Sequence, residues 1–86
     1  MGTIWKYELE TTDYAQIVMP KERRLLTVQV QRGIPCLWAL VDPDSPRETV
    51  TIITKGTCHL IYAPVGHYIG TYQLDDGSLI FHVFEA

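Results

Sequence analysis

The sequence predicts an all-β fold, an antiparallel sandwich or small barrel of six to seven strands, with the sandwich preferred. Three observations carry that expectation. Strand-like segments alternate with turn signals along the whole chain, and no stretch holds a 3.6-residue apolar period. The third is a pair of hairpin signatures, Arg32-Gly33 and Asp76-Gly77, where glycine accepts the positive φ of tight turns.

The first strand spans Thr3 to Leu9, rich in β-branched and aromatic residues, and the polar run Glu10-Thr11-Thr12-Asp13 ends it. A short second strand, Ala15 to Met19, stops at Pro20, which cannot donate to a ladder and therefore marks an edge or a turn. After the charged turn Lys21 to Arg24 comes the clearest alternation in the chain. Leu26, Val28 and Val30 are expected on one face and Thr27, Gln29 and Gln31 on the other.

The Arg32-Gly33 turn sends the chain back as Cys36 to Val41. Asp42-Pro43-Asp44-Ser45-Pro46 reads as a turn, and Arg47 to Thr54 as a fifth strand of alternating Thr and Ile or Val. Lys55 to His67, framed by Gly56, Pro64 and Gly66, interrupts the rhythm as a loop long enough to be functional or poorly ordered. Tyr68 to Leu74 and Leu79 to Glu85 then pair around Asp75-Asp76-Gly77-Ser78. With strands in hairpin order and no crossover helix, residues 1–86 form a single β domain with one small core.

Composition narrows the function classes. With 47% hydrophobic and 20% charged residues the chain has enough apolar surface to fold, and its net charge of −3 argues against a general binder of long nucleic acid. No apolar run is long enough for a membrane span, no secretory pattern opens the chain, and Lys6 stands where a myristoylation signal wants Ser or Thr. A cytoplasmic protein follows as the expectation. There the two cysteines, Cys36 and Cys58, are free thiols.

Two strands are apolar on both faces. Leu37, Ala39 and Val41 oppose Cys36, Trp38 and Leu40, and Leu79, Phe81 and Val83 oppose Ile80, His82 and Phe84. The second face is covered by the long loop, by the N-terminal strand or by another chain. Self-association as a homodimer is expected, with Trp38, Leu40, Ile80 and Phe84 as interface candidates.

Motifs for chemistry are weak. Cys58, His59 and His67 lie close in sequence, but neighbouring Cys58 and His59 diverge in an extended segment, and no C-x-x-C or H-x-x-x-H spacing supports zinc. Nothing in the sequence sets Cys58 beside His59, His67 or His82 as nucleophile and base, and His82 reads as a histidine hydrogen-bonded within the sheet. The carboxylate pairs Asp42 with Asp44 and Asp75 with Asp76 fall in turns, where Asp binds nearby amides. No cofactor, metal or catalytic residue is assigned.

A binding surface is the remaining candidate. Lys21, Arg23 and Arg24 cluster in one turn, Arg32 tips the next hairpin, and Trp5, Tyr7, Trp38, Tyr62 and Tyr72 offer flat faces. A cationic loop beside aromatics binds a nucleotide-sized anion by charge and stacking; the plainer reading is a solvated turn and core aromatics. The ligand-binding residues expected are Arg23, Arg24, Arg32, Lys55, His59, Tyr62 and His67.

The runs Thr3-Ile4-Trp5-Lys6-Tyr7-Glu8-Leu9, Gly33-Ile34-Pro35-Cys36-Leu37-Trp38-Ala39-Leu40-Val41-Asp42-Pro43, Gly56-Thr57 with His59, Tyr68-Ile69-Gly70-Thr71 and Phe81-His82-Val83-Phe84-Glu85 together resemble an uncharacterised family of short bacterial, phage and prophage proteins. Cys58 and Leu60 stand where that family tends to carry a glycine and a proline around the loop histidine. The resemblance implies a non-enzymatic binding protein in a host bacterium's cytoplasm. It would act in counter-defence, sequestering a nucleotide-like signal or blocking a host protein. A self-assembly protein without a ligand is the alternative, and a small enzyme the third reading.

Overall fold

Residues 1–86 are described by a computed structural model in which seven strands form two antiparallel sheets. In chain order these are β1 (Thr3–Glu8), β2 (Tyr14–Pro20), β3 (Arg23–Gln31), β4 (Ile34–Val41), β5 (Arg47–Gly56), β6 (His67–Leu74) and β7 (Leu79–Glu85). One sheet has the order β1-β4-β3 and the other β2-β5-β7-β6. The molecule measures 39 × 31 × 15 Å, thin enough for two stacked sheets and no third layer. The expected sandwich is therefore the architecture, with no closed barrel.

The two hairpins form where their turn residues stand. Arg32 and Gly33 have φ of 53° and 80°, both positive, as the two-residue turn between β3 and β4 demands. Asp75, Asp76 and Gly77 are also left-handed, turning β6 into β7 through a single 3-10 turn. Hairpin order fails elsewhere: β1 pairs with β4, β2 with β5 and β5 with β7, so the other connections cross between sheets or skip a strand. Pro20 ends β2, an edge strand, as a residue without an N–H should.

The two sheets enclose Leu37, Val28 and Leu9 from one side and Met19, Val50, Ile52, Tyr72 and Val83 from the other, with Tyr7, Ile17 and Phe81 packed around them. One expectation for β3 is corrected. A bulge between Leu25 and Thr27 adds a residue, so Leu25 and Val28 pack against the core while Leu26 turns outward; Val30 keeps the face of Val28 and is exposed beyond the core toward the hairpin tip. Beside Val28 the sheets pinch together. A Cβ on Gly70 of β6 would stand 3.0 Å from Val28 Cγ1 and 3.5 Å from the Val28 nitrogen. Glycine is what allows the edges to approach this closely.

The two-faced strands meet different fates. Leu37, Ala39 and Val41 are buried between the sheets, and outside them Leu40 stays exposed beside half-buried Trp38. On the opposite exterior, residues 57–66 fold back over the sheet and bury Ile53. The loop is thus shorter than the Lys55 to His67 expected, because β5 runs on through Gly56 and β6 begins at His67.

Candidate functional site

The 57–66 loop is hydrogen-bonded at its start and closely packed at its end. The Thr57 amide donates to the Ile80 carbonyl at 3.1 Å and the His59 amide to the Gly56 carbonyl at 3.1 Å. The His59 ring packs on Gly56 so closely that a Cβ there would meet the ring at 2.7 Å. At the far end Gly66 has φ of 94°, and a Cβ on it would overlap the Glu85 carbonyl oxygen. Between these anchors Leu60, Ile61 and Tyr62 are 72%, 50% and 88% exposed. Beneath them Tyr14, Ile53 and Lys55 floor a hollow of about 100 Å³.

The floor carries a positive charge. Lys55 Nζ lies 5.3 Å from the Tyr14 ring centroid and 3.9 Å from the Asp13 carboxylate. At the loop's base, His82 Nε2 is 2.7 Å from Thr57 Oγ1 and His82 Nδ1 is 3.0 Å from Thr71 Oγ1, which meets the Tyr68 hydroxyl at 2.6 Å. Both ring nitrogens are engaged by hydroxyls, so His82 buttons the loop to the β6-β7 hairpin. A cleft of about 290 Å³ opens alongside, lined by Thr57, His59, Ser78 and Phe81 among others.

A family model spans residues 1–86 and is described as a domain of unknown function, DUF7352. The chain belongs to the DUF7352 family. No curated protein and no solved structure matches it. The full-length match agrees with the resemblance carried by the sequence motifs as far as an uncharacterised family goes.

The DUF7352 fold gathers three of the seven ligand candidates around one loop. Lys55 and Tyr62 share the hollow, and His59 sits at the loop's base. The others are dispersed. Arg23 and His67 are neighbours of Glu85, the first by hydrogen bond and the second by strand register. Arg24, register partner of Leu40, is exposed on the other sheet, and Arg32 tips the β3-β4 hairpin about 30 Å along the strand from Arg23. No three His, Cys, Asp and Glu side chains gather to hold a metal ion.

The interface candidates also separate. By strand register Trp38 and Leu40 lie on the exterior of the β1-β4-β3 sheet, whereas Ile80 and Phe84 lie on that of the β2-β5-β7-β6 sheet. Phe84 is half-buried and packs edge to face on Tyr68 at 5.7 Å. The two pairs thus lie on opposite exteriors of the sandwich.

Two tyrosines of the DUF7352 core have pKa values above their ordinary 10.0. For Tyr7 burial raises it, offset in part by Arg47 and Arg23; for Tyr72 burial raises it, offset in part by the hydrogen bond to Thr11. Sequence reasoning missed Leu60 and Ile61. The signal available was an apolar triplet between Gly56 and Pro64, too short to pair as a strand and lacking alternation.

Proposed function

We propose that this DUF7352 chain is a non-enzymatic binding protein that grips a protein partner through the 57–66 loop. One observation carries the reading: Leu60, Ile61 and Tyr62, consecutive and large, stand exposed on a loop hydrogen-bonded at its start to Gly56 and Ile80 and packed at its end against Glu85. An apolar run of this kind costs solubility and is kept off protein surfaces unless it is used. Burying each side chain in a partner contributes about 1.5–3 kcal/mol, the scale of an interface hot spot.

The loop also favours a protein over a nucleotide. Its hollow of about 100 Å³ is small beside the roughly 300–1,000 Å³ of small-molecule pockets. Arg23, the most buried of the expected cationic residues, is already committed to Glu48 and Glu85. The counter-defence role implied by the sequence resemblance is consistent with such a loop, which would block a host protein by occupying an apolar groove on it.

The test is capture of a bacterial partner on the tagged chain, repeated with Leu60→Ser and Tyr62→Ser together. Loss of the partner with an unchanged thermal melt supports the reading. A partner retained by the double variant refutes the loop, and a nucleotide released from the denatured protein, absorbing near 260 nm, turns the reading to a small ligand.

A further inference from the structure

We infer that the partner segment gripped by the 57–66 loop carries an aspartate or glutamate side chain among large apolar residues, and that this carboxylate pairs with Lys55. The inference rests on the loop being the contact surface proposed above, and it adds the chemistry that selects the partner. Ile52 is in the core, so alternation along β5 sends Ile53 and Lys55 to the exterior, where both lie in the hollow under the loop.

The fold leaves the Lys55 charge only partly compensated. Its side chain is 17% exposed, and its Nζ sits 5.3 Å from the Tyr14 ring centroid, close enough for the ring face to attract it. Its only ion pair is with Asp13, at 3.9 Å, beyond hydrogen-bond reach, and the Asp13 side chain is itself 74% exposed. Across the ladder its neighbour is His82, whose ring nitrogens are already engaged by Thr57 and Thr71. Phe84, next on that face, brings no charge. An ammonium has three donors, and with no acid in hydrogen-bond reach this one depends on water.

Docking removes that water. Leu60 and Tyr62 are 72% and 88% exposed, and a partner that buries them also closes the hollow in which Lys55 lies. A charge buried without a hydrogen-bonded counter-ion is strongly unfavourable, so a partner that brings a carboxylate is selected over one that does not. The hollow of about 100 Å³ has room for several water molecules, and so for the carboxylate that replaces them. A bilayer is the other apolar medium such a loop could enter, but one lysine on a chain of net charge −3 gives little hold on anionic headgroups. The same net charge exerts no long-range pull on an acidic partner, so recognition is local to Lys55.

The test is a random-peptide library displayed with each peptide's C-terminus fused to its carrier, so that only side chains offer carboxylates. Peptides retained by the wild type and lost on the Leu60→Ser, Tyr62→Ser double variant are expected to share an Asp or Glu beside large apolar residues. Replacing that acid by its amide in a synthetic peptide should weaken binding to the wild type by about tenfold or more. Lys55→Met, which keeps an unbranched apolar stem beside Tyr14, should weaken the acidic peptide to the same extent and make acid and amide bind alike. The peptide-side exchange leaves the protein untouched, so a folding defect in the variant cannot produce it. Loop-dependent peptides without a shared acid, or an acid-to-amide loss that persists in Lys55→Met, overturn the inference and leave the loop standing. The absence of any peptide that depends on Leu60 and Tyr62 overturns the loop as well, and loop-dependent binding to phosphatidylglycerol vesicles would then assign it to a membrane.

Discussion

Arg23 Nη2 donates to the Glu85 carboxylate at 2.8 Å, joining the first residue of β3 in one sheet to the last of β7 in the other. Its Nη1 reaches Glu48 of β5 at 2.6 Å and the carbonyls of Pro20 and Lys21, so one guanidinium spans both sheets and the corner between β2 and β3. Burial disfavours the charge, but the bonds to Glu85 and Glu48 and the attraction of both carboxylates outweigh it and raise the guanidinium pKa. Four acceptors around one planar fork make this a joint that a point charge cannot replace.

Arg23→Ala is expected to cost about 2 kcal/mol in urea unfolding, less than a fully buried pair because Glu48 and Glu85 retain contact with solvent. Arg23→Lys should recover less than half of the loss, since an ammonium cannot donate to both carboxylates in this geometry. Full recovery would show that charge alone matters.

Tyr7 offers a pH test. Its hydroxyl is buried without a hydrogen-bond partner, and its pKa is raised in the folded state. The folded protein then keeps the phenol proton where the unfolded chain loses it. Stability from this group is full below pH 10 and falls as pH rises above it. Tyr7→Phe should be neutral or stabilising by about 1 kcal/mol at pH 7 and should lose less stability on going to about pH 11. The residual loss belongs to Tyr72, whose pKa is raised in the same direction. An alkaline profile identical to wild type would contradict this.

The two thiols should differ in kinetics. Cys58 is exposed and left-handed at φ of 69°, whereas Cys36 is buried between the flanking strands. A thiol reagent is expected to consume one equivalent at once in the native protein and the second only on unfolding, with Cys58→Ser removing the fast phase. Weakening the Lys6-Gln31 bond over Cys36 by Lys6→Ala should speed the slow phase without creating a second fast one.

Much of the fold was legible because its determinants are local. Alternation, β-rich composition and flanking turn residues marked the strands to within a few residues, β7 at its observed bounds, and the Arg32-Gly33 and Asp76-Gly77 turns marked the two hairpins through their need for positive φ. The bulge at Leu26 was not legible, because an extra residue changes no residue type. Of the site, the loop and its Lys55, His59 and Tyr62 were visible through the turn residues that frame them. Leu60 and Ile61 were not, since apolar residues in a sequence read first as core.

What the sequence by itself determined is an all-β domain of six to seven strands, sandwich or small barrel, with two strands apolar on both faces. What only the tertiary structure decided is which residues share a surface. Pairings such as β1 with β4 and β2 with β5 join segments more than twenty-five residues apart, and no local pattern encodes them. Those pairings put Trp38 and Leu40 on one exterior and Ile80 and Phe84 on the other, and they scatter Arg23, Arg24 and Arg32. Side-chain direction in a strand alternates by local geometry, but which exterior that direction reaches is set by the sheet to which the strand is bonded.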